Sequence, residues 1–383
     1  MSVRYTIVIP TRNRPRQLEQ TLSFLASSRC AAPVRVADSG DEAMARLAEQ
    51  ACRRADLNVY YQHFPGDFAV MEKMSAVLHG IDTDYTVFCA DDDVLVLSAV
   101  EECIEFLELH PDYVACHGRY LGFASKGEGL EIQRIEYDGP AFDGKTAISR
   151  MAQLLTRYEA LFYAVVRTSV QRVVVDFAKQ MTRPMFRELA HGVGLVAQGK
   201  VERLGSVYCN RNLKTAGINK RYDWCPPIWL GVDPEEMFLE YVVYRDRVVT
   251  LLADRMPGDV TKKALRILVD KVHYLYLHGD SDIETLVARR MPEFRQMAED
   301  ADRVRDQMRE SLRRPQSIRS RAQHQEGQSG DAPSRYGTLE VRPAGCFRSR
   351  EELVFIEGVL ARWQDAHRGE VSVSATNGCC GET

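Results

Sequence analysis

Three carboxylates stand side by side, Asp91, Asp92 and Asp93, inside the otherwise apolar run "VFCADDDVLV" from Val87 to Val96. Neighbouring like charges repel, and burying even one of them is costly unless something compensates it. In an extended segment residues two apart share a face, so Asp91 and Asp93 are expected to point together and Asp92 the opposite way. Two carboxylates on one face of a strand end suit a hard cation, Mn2+ or Mg2+, with open positions left for water and phosphate oxygens. The plain alternative is a solvated acidic turn. Arg12 and Arg14 in "PTRNRPRQ" fit phosphate or an acidic sugar, because a guanidinium pairs such groups through two parallel bonds. Surface charge is their alternative reading.

The elements that must position these residues alternate. "YTIVIPT" reads as a buried strand, "RPRQLEQTLSFLASS" as a helix with Leu18, Leu22 and Leu25 on one face, and "VRVADSG" as a second strand. "DEAMARLAEQACRRA", "LNVYYQH", "FAVMEKMSAVLHGI" and "YTVFCADDD" continue as helix, strand, helix and strand. Such alternation argues an α/β fold with a mostly parallel sheet flanked by helices. Ligands of these sheets bind beyond the carboxyl ends of the strands. Residues 11–14, 38–40 and 91–93 each follow a different strand end, so three polar loops converge on one edge.

Further on, "VACHGRYLGF" and "EIQRIEYDG" read as an antiparallel hairpin. "DGKTAISRMAQLLTRY" reads as a helix and "ALFYAVVRT" as a strand. "RPMFRELAHGVGLVAQGK" is a helix and "VERLGSVYCNRN" the last strand. "LKTAGINKRYDWCPP" is a loop rich in Gly, Asn, Lys and Pro. The chain divides into a catalytic-type domain over 1–232 (halves 1–125 and 126–232) and a helical extension over 233–312. A polar linker without a core of its own covers 313–339, and a C-terminal helix and tail 340–383. In that last helix Leu353, Ile356, Leu360 and Trp363 form an apolar stripe that must dock somewhere.

Across 383 residues the net charge is −4, which gives no reason to expect nucleic acid as a partner. The ten cysteines form no C-x-x-C pair and no zinc spacing, and several lie in apolar runs, as free thiols of a reduced, cytoplasmic protein do. "MSVRYTIVIPT" lacks the apolar stretch of a signal peptide, and no window is long and apolar enough for a transmembrane span. Contact with a membrane surface is left open.

"IVIPTRNRPRQLEQTLSFL", "RVADSG" and "VFCADDDVL", in that order, resemble the nucleotide-sugar half of a GT-A fold glycosyltransferase of the family 2 type. The likeness is good over about residues 3 to 125 and looser to about residue 222. It implies that Pro10, Thr11, Arg12 and Arg14 line the nucleotide pocket and that Asp38 accepts a hydrogen bond from the base. Asp91 would lie near the ribose and serve with Asp93 at the metal, with Asp92 in support or on the sugar. Lys73 falls where the family often carries a basic residue or Asn facing the donor; a solvated helix position is the alternative. Ala90 departs from the family, many of whose members carry their first aspartate there, which leaves the division of labour among the three aspartates open.

Sugar transfer to a hydroxyl needs a general base. The resemblance puts it on Glu188, with His191 on the same helix face as base or orienter, or else Glu188 is a surface acid paired with Arg187 or a lysine. Asp176 is a weaker rival. Lys214, Lys220 and Arg221 would neutralise the leaving diphosphate, Trp224 and Trp229 would stack on a sugar or pack a lid, and residues 117–123 would flank the acceptor site. The implied activity is metal-dependent transfer of a sugar from a nucleoside-diphosphate sugar, a UDP-sugar by family default, to a glycan, lipid-linked or protein acceptor, with inversion. A sugar nucleotidyltransferase usually opens with a Gly-rich loop, and "PTRNRPRQ" has no glycine. A non-catalytic scaffold with the same fold is the rival from another class.

Overall fold

The computed structural model describes residues 4–64, 66, 68–126, 129–136, 139–156, 158–212, 234–255, 260–277, 340–341 and 350–368. Its frame is a sheet in the order β10-β7-β6-β8-β4-β1-β2-β3. The first three strands are β1 (Tyr5–Thr11), β2 (Val34–Asp38) and β3 (Val59–His63), and β4 (Tyr85–Phe88) lies on the other side of β1, all parallel. β1, β2 and β4 are rich in β-branched residues and almost wholly buried, as parallel strands covered on both faces are. The register aligns Thr11 with Asp38 and Asp38 with His63, so three neighbouring strands end level.

The connecting helices are α1 (Pro15–Ser27), α2 (Glu42–Arg54) and α3 (Val70–Leu78). Pro15 starts α1, where its fixed φ suits the first turn and its missing N–H is not needed. Asp41 caps α2 by accepting from Met44 N at 3.1 Å. Between β4 and α4 (Leu97–Leu109) lies the two-residue β5 (Val94–Leu95).

The rest of the sheet is mixed. β6 (Tyr113–Lys126) runs antiparallel to β7 (Gly129–Glu136) and β8 (Val165–Arg167) and parallel to β9 (Lys200–Asn212), while β9 also pairs antiparallel with β5. β10 (Glu340–Val341) adds to β7. The stretch read as one strand over "ALFYAVVRT" is a 3-10 turn over Leu161–Tyr163 followed by the three-residue β8, because the chain enters α6 (Thr168–Ala178) at Thr168, whose N–H bonds Asp84 O. α5 (Ala147–Thr156) and α7 (Pro184–Gln198) pack together on one face.

α8 (Pro234–Ala253) and α9 (Lys262–Leu277) pack on α7 and α5 and share their core, with Tyr241, Tyr244, Leu252 and Val269 buried in one cluster with Phe186 and Leu189. Glu240 of α8 accepts from the N–H groups of Thr182 and Arg183 at the start of α7, at 2.8 and 3.1 Å. The C-terminal stripe docks on the opposite side: α10 (Arg350–Arg368) lies against α1, burying Ile356, Val359, Leu360 and Trp363. Trp363 meets Phe123 of β6 edge-on at 5.1 Å, and Arg119 of β6 binds Glu352 at 2.5 Å. The linker read over 313–339 and the side chain of Leu353 lie outside the described residues. Among the described residues no helix is long and apolar enough to cross a membrane.

Candidate active site

The three loops meet. β1 hands over to α1 through Asn13, whose φ of 56° turns the chain in the left-handed region that Asn tolerates. Asn13 Oδ1 accepts from Asp41 N at 2.8 Å, tying the first loop to the second. At Gly40 a Cβ would fall 2.9 Å from that same oxygen, so the close approach requires glycine. Asp38 is buried; its Oδ1 accepts from Gly40 N at 2.7 Å and its Oδ2 from the Tyr61 hydroxyl at 2.8 Å. His63 Nε2 lies 2.8 Å from Gly40 O.

Lys73 is neither solvated nor at the surface. Only 2% exposed, its ammonium donates to Thr11 O at 2.6 Å and Ser39 Oγ at 3.0 Å, pinning the first two loops from beneath. Desolvation lowers its pKa to about 8, opposed by Asp38 and Asp91.

The third loop corrects the extended-strand reading of the triplet. β4 stops at Phe88, and Asp91 and Asp92 sit in a turn, so strand alternation does not govern their directions. Asp91 and Asp92 are the pair that acts together: Arg14 Nη1 lies 2.7 Å from Asp91 Oδ1 and its Nη2 2.5 Å from Asp92 Oδ2. Thr11 Oγ1 donates to Asp91 Oδ2 at 2.7 Å, and Thr21 Oγ1 to Asp91 O at 2.7 Å. Asp93 faces elsewhere. Its Oδ1 accepts from Asn212 N at 3.0 Å, and its Oδ2 lies 4.0 Å from Arg211 Nε, at the end of β9. Burial pushes the Asp91 carboxyl up to about 6, against the pull of Arg14. Burial and then the Asp92 charge push Asp93 up to about 7.

Glu188 in α7 is partly buried and accepts from the Tyr158 hydroxyl at 3.0 Å. Desolvation raises its pKa to about 7, opposed by that bond and by the charge of Arg211. Arg187 is not its partner, since it binds Glu72 at 2.9 Å. His191 does not join it as base or orienter. Its ring is 1% exposed, held between Phe88 and Phe162, and its Nε2 lies 3.2 Å from Gln171 Nε2; burial lowers its pKa to about 3, so the ring is neutral and apolar in its setting. Asp176 is bound to Ser75 and Lys179 on the α3–α6 face. Residues 117–123 are core rather than a site wall: His117, Tyr120, Leu121 and Phe123 are buried. Arg12 is exposed at the rim and Pro10 half-buried in β1. Lys214, Lys220, Arg221, Trp224 and Trp229 lie outside the described residues.

Sequence reasoning missed Tyr61, Tyr158 and Arg211. Arg211 had a signal, as the cation nearest the end of the last strand; the two tyrosines had none, being brought in by side-chain reach from neighbouring elements. Asp93 fits a divalent cation, since its carboxyl is pushed up first by burial and then by the like charge of Asp92, with Arg211 Nε 4.0 Å from its Oδ2. Asp91 fits less well, because Arg14 already occupies it. Among the described residues no three His, Cys, Asp or Glu side chains gather as a metal cage.

Residues 6–176 match Glycosyl transferase family 2. The chain carries a family 2 glycosyltransferase domain. The match runs from β1 through most of α6, and so takes in all three converging loops but stops before Glu188. The enzyme's fold is similar to that of S. aureus TarS: 11% identity and a TM-score of 0.50 over 74% of this chain, which spans 45% of that TarS chain. It is also similar to TarS 1–349 in complex with UDP-GlcNAc, at 11% identity and a TM-score of 0.52, over 77% of this chain and 82% of that one. No curated protein matches the chain in sequence. The family 2 domain thus has the GT-A architecture, a mixed and mostly parallel sheet flanked by helices with further helices after it.

Proposed function

We propose that this family 2 enzyme transfers a sugar from a nucleoside-diphosphate sugar to an acceptor hydroxyl with inversion, using Glu188 as general base and a divalent cation at Asp93. One observation supports the reading: Arg211 Nε lies 4.0 Å from Asp93 Oδ2, and the same guanidinium charge favours the ionised form of Glu188, so one arginine is common to the cation-suited carboxylate and the base candidate. A base near neutrality is matched to its task, and Glu188 at about 7 is such a group. The Tyr158 hydroxyl fixes one carboxylate oxygen and leaves the other to take the acceptor proton.

On the donor side Asp38 is oriented by Gly40 N and Tyr61 to accept from the base of the nucleotide, with Thr11 and Pro10 as the wall beside it and Arg12 at the rim. Mn2+ or Mg2+ at Asp93 supplies charge neutralisation of the leaving diphosphate. Arg211, at the same place, adds a fixed positive charge to that neutralisation. A UDP-sugar is the favoured donor, in keeping with the UDP-GlcNAc bound by the TarS relative. A glycan, lipid-linked or protein acceptor is the partner class, and the cytoplasm the expected location.

Thermal-shift measurement with UDP and GDP, each with and without Mn2+, tests the donor site, because a ligand of the native state must raise the melting temperature. Stabilisation that requires both components and is lost in Asp93→Asn is the expected result. A folded protein that responds to no nucleotide would replace this reading with the non-catalytic scaffold.

A further inference from the structure

The triplet that opens the sequence argument is compensated inside the chain. Arg14 spans Asp91 and Asp92 with one guanidinium nitrogen on each, and its side chain is only 18% exposed. The fork is held on both sides. Pro15 follows Arg14 and fixes the entry to α1, while Thr11 and Thr21 hold Asp91 by its carboxylate and by its carbonyl. Two bonds from one planar cation fix geometry as well as charge. Arg14 thus spends both guanidinium ends on the acids.

We propose that Arg14 is the resident counter-cation of the Asp91–Asp92 pair and thereby sets the order in which the donor site loads, the divalent ion entering as its complex with the nucleoside diphosphate rather than ahead of it. The proposal rests on the donor-site reading above and assigns Arg14 a positioning role in place of phosphate contact. Without Arg14 three carboxylates in a row would draw a free cation by themselves. With it, the net charge that Asp91, Asp92 and Arg14 present is that of one acid. Asp93 alone, already facing Arg211, then offers a free ion one carboxylate. A metal–diphosphate complex brings its own phosphate oxygens and needs from the protein a single carboxylate and the nucleotide contacts. The charge of Arg14 lies close enough to the triplet that removing it should strengthen binding of a free cation by about tenfold or more, even at the high effective dielectric of a partly exposed site.

The test is the melting temperature of wild type, Arg14→Met and Arg14→Lys with Mn2+ alone, with UDP or GDP alone, and with both. Wild type is expected to respond to Mn2+ only in the presence of nucleotide. Arg14→Met should melt lower and gain several degrees from Mn2+ alone, and Arg14→Lys, which keeps the charge, should resemble wild type. Free Mn2+ measured by electron paramagnetic resonance in wild-type solutions gives the same answer without relying on a variant: the free-ion signal should fall only when nucleotide is added. Mn2+ binding to wild type in the absence of nucleotide, with nucleotide binding intact, overturns the loading order and leaves the donor site standing. An Arg14→Met protein that is folded and no more responsive to Mn2+ alone than wild type also overturns it. No response of wild type to Mn2+ and nucleotide together overturns the donor site and this inference with it.

Discussion

The two halves of the sheet treat buried polar groups differently. At the strand ends of β1, β2 and β4 the site acids and the lysine have partners: both oxygens of Asp38, the ammonium of Lys73, and the carboxylates of Asp91 and Asp92 are bound within the three loops or from a neighbouring strand, although Thr86 Oγ1 within β4 has none among the described residues. Across β4, in the half built on β6, β8, β9, α6 and α7, His117 Nε2, Gln171 Oε1 and both polar atoms of Asn210 are buried without a hydrogen-bond partner among the described residues, His117 Nε2 having only Glu159 at 3.6 Å. Loops that leave parallel strands at one level can reach each other, and the level register of Thr11, Asp38 and His63 provides that. β6 and β9 pair with repeated register shifts, which move side chains off the positions where they would meet. The loop edge is therefore held by its own bonds, and the other half leaves more of its buried polar atoms unbonded among the described residues.

Four substitutions test the contrast, from the largest expected effect to the smallest. Glu188→Gln should lower kcat by on the order of 10^2 to 10^4 with the donor KM little changed. In wild type kcat/KM should rise with pH through about 7 as Glu188 ionises, and a steady-state profile of both proteins checks this. Lys73→Met removes two charge-assisted bonds beneath the donor loops and should cost about 2–3 kcal/mol in urea unfolding, with weaker nucleotide binding.

His191→Gln addresses pH. Burial depresses the His191 pKa from about 6.5 to about 3, so the folded protein holds fewer protons than the unfolded chain between those values. Its contribution is whole above pH 6.5 and declines as pH falls towards 3. The stability gap between wild type and His191→Gln should narrow by about 2 kcal/mol from pH 7 to pH 5, and a gap independent of pH would refute the assignment. Asn210→Leu should be the mildest, within about 1 kcal/mol of wild type or more stable, because it removes buried polar atoms that have no partner. A large loss there would erase the difference between the two halves.

The alternation of strands and helices, the convergence of three loops and the place of Glu188 on a helix were all legible from residue patterns, because hydrophobic periodicity and strand-end polarity are local properties. The directions of the three aspartates were not. They depend on where β4 stops, and an apolar run flanking acids does not mark that point. Lys73 shows the same gap, since a lysine within an apolar helix segment can face the donor or solvent, and only the loops above it decide. The depth of His191 follows from the phenylalanines that close on it from β4 and the 3-10 turn, neither adjacent in sequence. The stripe of α10 announced a docking helix without naming its dock.

That dock has a consequence for synthesis. Arg119 and Glu352 lie 233 residues apart in the chain, and Phe123 receives Trp363 from the same late helix. At roughly 5–20 residues per second a ribosome needs on the order of 10–50 s to make what separates them. For that interval β6 leaves the ribosome with Phe123 uncovered by its eventual neighbour. The first half of the enzyme thus waits on α10, and a messenger truncated before α10 yields a chain whose apolar strip is never closed by it.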